Sequence, residues 1–244
     1  KIRAVNTGAR VAAQVQTPGG KVNYEGGAHV DGVPGTAAPI DLMFRDIVGG
    51  ATGQLFPTGN RVDVIGGIEV SCVDVAMPMV IARAESFGLT GHESAAELDD
   101  NRAFFERMEA VRIQAGDAMG IKNVASSVTP KVGLLAPARA GGTIATRYFM
   151  PWKTHPTMAV TGAQCLASCV LTPGSVADGL ASTPDKGPAT ITLDHASGQI
   201  DVVVDFALSG AKIDLKSAGL IRTARLLARG DVMVPSAVWA GIAS

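Results

Sequence analysis

This sequence has no excess of charge of either sign, no disulfide framework and no apolar run of membrane length. Its 21 Lys and Arg against 22 Asp and Glu leave a net charge of −1. A nucleic-acid binder would carry a basic excess in its totals, so no nucleic-acid partner is expected. The three cysteines, Cys72, Cys165 and Cys169, are odd in number and without periodic spacing. That excludes a disulfide scaffold and suits a reducing cytoplasm. The longest apolar stretches, such as Cys165 to Leu171, fall far short of the roughly 20 residues that span a bilayer, so no membrane partner is expected. The first residues lack the apolar core of a signal peptide. They begin without Met, inside a strand-like pattern, so further residues are expected upstream. HxH, HExxH and CxxC spacings are missing, which leaves a metal site without support. So are the Gly-rich loops that cradle phosphates or dinucleotides and the GxSxG nucleophile elbow.

What the sequence has is turns. Among 244 residues, 29 Gly and 13 Pro punctuate short apolar runs, the mark of many strands joined tightly. Strands are expected at Ile2–Val5, Val11–Val15, Lys21–Tyr24, Ala28–Val33, Ile40–Phe44, Ile68–Val75 and Pro78–Ala82. Others follow at Lys131–Ala136, Thr143–Phe149, Ala189–Leu193, Ile200–Leu208, Gly219–Leu227 and Val232–Val234. Ser94-Ala95-Ala96-Glu97 is a capping box. It leads into an amphipathic surface helix over Asn101–Met119, with Phe104, Met108, Val111 and Ala115 on one face and Gly120 ending it. Thr161–Leu171 is nearly uncharged and rich in small residues, so it reads as a buried helix. The class is therefore α+β, a curved, mostly antiparallel sheet wrapped barrel-like around one buried helix. No internal repeat or low-complexity segment is present.

The start of the buried helix is the most informative point. Free N–H groups at Thr161-Gly162-Ala163 suit an anion, with Gly allowing close approach; equally, Thr161 simply caps the helix. His155, just upstream, is either a carboxylate donor or proton carrier near neutral pH, or a packed loop residue. Lys131, opening a strand after Thr129-Pro130, either pairs with a carboxylate or is a surface lysine. Cys165 and Cys169 share a helix face; packing is favoured over a thiol acid/base pair. His29, His92 and His195 lie in polar, turn-like contexts and are expected to face solvent.

Several strings together resemble one family. They are Asp31-Gly32-Val33-Pro34-Gly35-Thr36-Ala37-Ala38-Pro39-Ile40, Leu55-Phe56-Pro57-Thr58-Gly59-Asn60 and Val73-Asp74-Val75-Ala76-Met77-Pro78-Met79-Val80. Later come Leu134-Leu135-Ala136-Pro137-Ala138-Arg139-Ala140-Gly141-Gly142-Thr143, and His155-Pro156 running into Thr161-Gly162-Ala163. In order and spacing they resemble PrpF-type proteins, which include 4-oxalomesaconate tautomerases, in the diaminopimelate-epimerase-like superfamily. The resemblance covers essentially the whole chain.

It implies two similar domains, each a sheet around a central helix, with the active site in the cleft between them. It also implies a cofactor-independent isomerase that moves a proton and a double bond in a small unsaturated di- or tricarboxylate. The substrate implied is 4-oxalomesaconate, from aromatic-acid breakdown; alternatives are 2-methylaconitate or methylitaconate. A non-catalytic carboxylate-binding domain is the alternative of another class. Residues 1–20 then read as the remnant of an N-terminal domain, 21–218 as the C-terminal domain, and 219–244 as strands returning toward the first. The family's catalytic Lys and Cys are expected upstream, so no catalytic residue is assigned in this chain, which alone would be inactive. Substrate binding is assigned to His155, Thr161, Gly162, Lys131 and Met77. Two departures stand out: Ala159 occupies the position of a second catalytic Cys of the epimerases, and Met77 replaces the Asn of an Asn-Pro motif. A homodimer is expected.

Overall fold

The alternating apolar runs assemble into a single sheet. The computed structural model describes residues 1–3, 5, 10–139 and 141–239. Its strands are β1 Ile2–Arg3, β2 Arg10–Val15, β3 Pro39–Arg45, β4 Asp63–Ile65, β5 Ile68–Val75 and β6 Met77–Arg83. They continue with β7 Lys131–Ala136, β8 Ile144–Phe149, β9 Ala189–His195, β10 Gly198–Ser209 and β11 Lys212–Thr223. The helices are α1 Ala95–Asp99, α2 Arg102–Ala118 and α3 Val160–Val170. The strands lie in the order β1-β2-β3-β11-β10-β9-β8-β7-β6-β5-β4. The pairs β6–β7 and β8–β9 are parallel, and the other described pairs are antiparallel. Parallel neighbours cannot be joined by a hairpin. Each pair accordingly has a helical crossover, α1 with α2 for the first and α3 for the second.

The two crossovers cover opposite faces. On β5, Ile68, Val70 and Cys72 pack with Val80, Ala82 and the α2 residues Phe104, Met108 and Val111. Val73 and Val75 point the other way, into a core with Met79, Ile81 and the α3 residues Cys165, Leu166 and Cys169. Strand β5 is buried at every position but Glu69. The polar residues this encloses are hydrogen-bonded: Ser71 Oγ donates to Arg61 O, and Asp74 Oδ2 accepts from Thr52 Oγ1. Helix α3 touches β5, β6, β7, β9, β10 and β11, so the sheet curves around it. Gly133 on β7 permits that approach, because a Cβ there would lie 2.7 Å from Leu166 Cδ2. The α+β class and the sheet wrapped around a buried helix agree with the sequence reading.

The differences lie in boundaries and loops. The capping box forms, with Ser94 Oγ accepting from Glu97 N and Glu97 Oε2 from Ser94 N. It caps a separate five-residue helix, α1. Asn101 then caps α2 by accepting from Phe104 N. Helix α3 begins one residue early, with Ala159 at the cap and no capping side chain, so Thr161 is not the cap. The last strand starts at Lys212 rather than Gly219, because pairing with β10 carries it through Lys212-Ile213-Asp214-Leu215. No strand forms at Lys21–Tyr24 or Val232–Val234, and Ala28–Val33 makes one isolated bridge, Ala28 with Ala37. Those runs pair with no strand of the sheet among the described residues, and an extended run without a partner strand is not held as one. Strand β4 was not anticipated. The Ala140 of the family-like string lies outside the described residues.

Candidate active site

Parallel pairing aligns the starts of β6 and β7, where Met79 faces Lys131. The antiparallel β8 ends at that same edge, with Val132 opposite Phe149. The chain then folds back through residues 150–159, bridging Phe149 with Thr154, and enters α3. Sheet topology thus gathers Met77, Lys131, Tyr148, His155, Thr161 and Gly162 at one edge.

The contacts are specific. Met77 Sδ accepts from Tyr148 Oη at 3.5 Å and from Thr161 Oγ1 at 3.3 Å. His155 N donates to Tyr148 O at 2.8 Å, and the two rings meet edge-on at 5.6 Å. Gly162 lies against the Tyr148 ring, where a Cβ would come within 2.5 Å of a ring carbon. Ala76, just before Met77, holds φ at 59°. That left-handed conformation costs a non-glycine residue roughly 1–2 kcal/mol; strain of this kind gathers at functional sites.

Electrostatics fix the protonation states. His155 Nδ1 accepts from Thr157 N at 3.1 Å, which places the neutral ring's proton on Nε2. Burial lowers the His155 pKa; a backbone contact at Thr157 opposes this, and the charge of Lys131 adds to it. The ring is therefore a neutral Nε2–H donor at neutral pH. Burial, then Arg112, lowers the pKa of Lys131. Burial pushes the Tyr148 phenol up to about 12, with Cys165 adding, so it too remains a donor. Because no side chain caps α3, its first N–H groups are left for a ligand. A cation, a neutral imidazole N–H and a helix N-terminus lie at one edge of the sheet, a set suited to a small polycarboxylate.

All five residues picked from the sequence, His155, Thr161, Gly162, Lys131 and Met77, fall in this group. Tyr148 and Thr157 were missed. The signal for Tyr148 was its place two and four residues beyond Thr146 and Ile144 on one strand face. His195 departs from its expected exposure, as does His92; both are half-buried. His195 Nδ1 accepts from Ser197 N, and Ser197 Oγ donates to Pro156 O at 2.5 Å, so this turn braces the loop of His155. His29 is exposed and pairs with Asp31. Cys165 and Cys169 are fully buried with pKa values raised by burial, as packing residues would be. Among the described residues, no group of three or more His, Cys, Asp or Glu is placed to hold a metal ion. A cavity of about 820 Å³, lined by Asn60, Arg61, Lys212 and Asp214 among others, shares no residue with the group above. Its two cations, Arg61 and Lys212, are accompanied by the carboxylate of Asp214.

Residues 1–235 match the sequence profile of the family described as PrpF protein. The chain belongs to the PrpF family. It is 41% identical over 229 residues to the (4E)-oxalomesaconate Delta-isomerase of Novosphingobium sp. (strain KA1), covering 94% of this chain and 63% of that protein. To the 4-oxalomesaconate tautomerase of Pseudomonas putida it is 42% identical over 236 residues, covering 97% of this chain and 64% of that one. The crystal structure of methylitaconate-delta-isomerase superimposes with a TM-score of 0.83 at 28% identity, over 98% of this chain and 67% of that one. The chain thus spans about two thirds of the length of these relatives. Among the described residues, no helix is long and apolar enough to cross a membrane.

Proposed function

We propose that this protein is a cofactor-independent isomerase of a small unsaturated di- or tricarboxylate, with 4-oxalomesaconate as substrate. The observation that carries the reading is that Lys131, His155 and the uncapped start of α3 share one edge of the sheet beside Met77. The names of the PrpF relatives support it, since they include isomerases of oxalomesaconate.

The chemistry is a proton shift. A base removes a proton allylic to a carboxylate or oxo group, and an acid returns it at another carbon of the conjugated system. Negative charge develops on oxygen in between. Lys131, His155, Thr161 and the N–H of Gly162 bind the carboxylates and hold that charge. Fixed donors aimed at developing charge contribute about 100- to 1000-fold in rate each when well placed. Met77 gives the pocket an apolar wall where a substrate lacks an amino group. By the family resemblance, the base is a Lys acting with a Cys in the family's N-terminal domain, and residues 21–218 form the charge-holding domain, with 1–20 and 219–244 joining the first domain. A cytoplasmic location and a homodimeric state complete the proposal; sedimentation of the purified protein checks the latter.

The test uses the protein from the complete reading frame, incubated in D₂O with oxalomesaconate, 2-methylaconitate and methylitaconate and followed by NMR. Isomerisation with solvent deuterium entering the product is expected for oxalomesaconate. Exchange with neither it nor the other two, while carboxylates still bind, would leave a binding domain instead. His155→Ala is expected to lower kcat/KM by about 100-fold. Lys131→Ala should cost roughly 10- to 100-fold, the value of a charge-assisted hydrogen bond.

A further inference from the structure

The buried stripe of α2 contains one residue that does not belong to an apolar core. Between Met108 and Ala115, Arg112 is fully buried. A buried charge is costly unless paired and hydrogen-bonded, and Arg112 is both. Its Nε and Nη2 donate to the Glu109 carboxylate at 2.6 and 2.7 Å. What remains of the fork reaches away from its own helix. Nη2 donates to Val124 O at 3.0 Å and Nη1 to Pro130 O at 3.4 Å. The guanidinium carbon also stands 6.0 Å from the centre of the Trp152 ring.

These contacts fall on two loops. Pro130 is the residue whose carbonyl enters the peptide bond to Lys131, and Val124 lies earlier in the same loop. Trp152 stands three residues before His155, on the segment folded back along β8. We propose that Arg112 is a positioning residue for the candidate active site, a buried guanidinium that ties the loop carrying Lys131 to the loop carrying His155. The inference rests on the reading that those two residues hold the substrate. Its charge also acts directly on Lys131, whose proton it disfavours after burial does. Planar geometry matters here, because only a guanidinium offers a carboxylate two donors and still reaches two carbonyls.

The experiment compares variants of the complete protein by steady-state kinetics on oxalomesaconate and by thermal unfolding. Arg112→Met with Glu109→Gln removes the charge pair without stranding either partner. It is expected to lower kcat/KM by about 10- to 100-fold, the cost of misplacing substrate-holding groups, in protein still folded at the assay temperature. Arg112→Lys, which keeps the charge but not the fork, should lose nearly as much. Trp152→Ala alters an exposed ring, leaves the core intact, and should cost about 2- to 5-fold through the lost cation–ring contact. The decisive readout is non-additivity. Placed in Lys131→Ala/His155→Ala protein, the Arg112 change should cost less than about 3-fold further, because its route to the substrate is already gone. Full activity in a folded Arg112 variant, full activity in Trp152→Ala, or losses that multiply in the combined variant would each overturn the inference. If Lys131→Ala and His155→Ala are themselves fully active, the site assignment fails instead; if they are impaired while the Arg112 variants are not, only the positioning role fails.

Discussion

Gly162→Ala sets two effects of known sign against each other. Ala is the better helix former, worth up to about 1 kcal/mol over Gly in a helix. Gly162 is the third residue of α3, so propensity alone predicts a gain. The packing predicts a loss. A Cβ at this position would lie 2.5, 2.9 and 3.1 Å from three carbons of the Tyr148 ring. Carbon atoms prefer about 3.5–4.0 Å, so the closest contact is roughly 1 Å too short. The ring has little room to move, since its hydroxyl donates to Met77 Sδ and its edge meets His155. Overpacking of this kind costs about 1–3 kcal/mol. The net expectation is a loss of about 1–2 kcal/mol, which in a chain of this size lowers Tm by roughly 2–8 °C. Thermal unfolding by circular dichroism measures it. A companion in the Tyr148→Ala background isolates the cause: there the same Gly162→Ala change should stabilise, because only propensity is left. If Gly162→Ala raises Tm in the otherwise unchanged protein, the contact between α3 and Tyr148 is looser than described and the site geometry built on it fails.

Three further outcomes are expected. All three cysteines are buried, and burial pushes the Cys72 and Cys169 thiols up to about 12 and Cys165 well above its usual value. An aromatic disulfide reagent at pH 8 should therefore titrate none of them in native protein and three in denaturant; one fast native thiol would contradict the packing. Asp74 is fully buried, and its Oδ2 accepts from Ala51 N, Thr52 N and Thr52 Oγ1. Asp74→Ala strands those donors and should cost about 1–3 kcal/mol in urea unfolding; a change within error would show that the loop is held otherwise. Burial alone would raise the Glu93 pKa, but hydrogen bonds from Thr90 N, Thr90 Oγ1 and Gly91 N outweigh it and hold the carboxyl below its usual range. A lowered folded pKa contributes stability above the unfolded value of about 4.3 and loses it as pH falls through the folded one. Stability curves of Glu93→Gln and the parent should thus differ at neutral pH and converge as pH falls through the lowered folded pKa; parallel curves would refute the assignment.

Much of the site was legible because its residues break local patterns. His155 and Thr161-Gly162 stand at the mouth of an uncharged helix, and Lys131 opens an otherwise apolar strand. Tyr148 was not legible, since an aromatic residue in a strand reads as core until its neighbours across the sheet are known. His195 looked like a turn residue in isolation. Only the hydrogen bond from Ser197 to Pro156, 41 residues apart in the chain, shows that its turn braces the His155 loop. A local reading gives no reason to place the charge of Arg112 inside, and the structure buries it.

By itself the sequence determined the class, the buried helix and most strand cores, and marked the helix start as a candidate site, because these follow from short-range periodicity and from residue type. It also carried the family resemblance, which depends on strings and their order. Tertiary structure alone decided which strands are parallel, and thereby that the starts of β6 and β7 meet the end of β8 and the start of α3. It also decided where unpaired apolar runs such as Val232–Val234 stay irregular. Strand pairing is a long-range choice, in which each segment takes the neighbour that buries its apolar face and satisfies its backbone. No local window contains that neighbour.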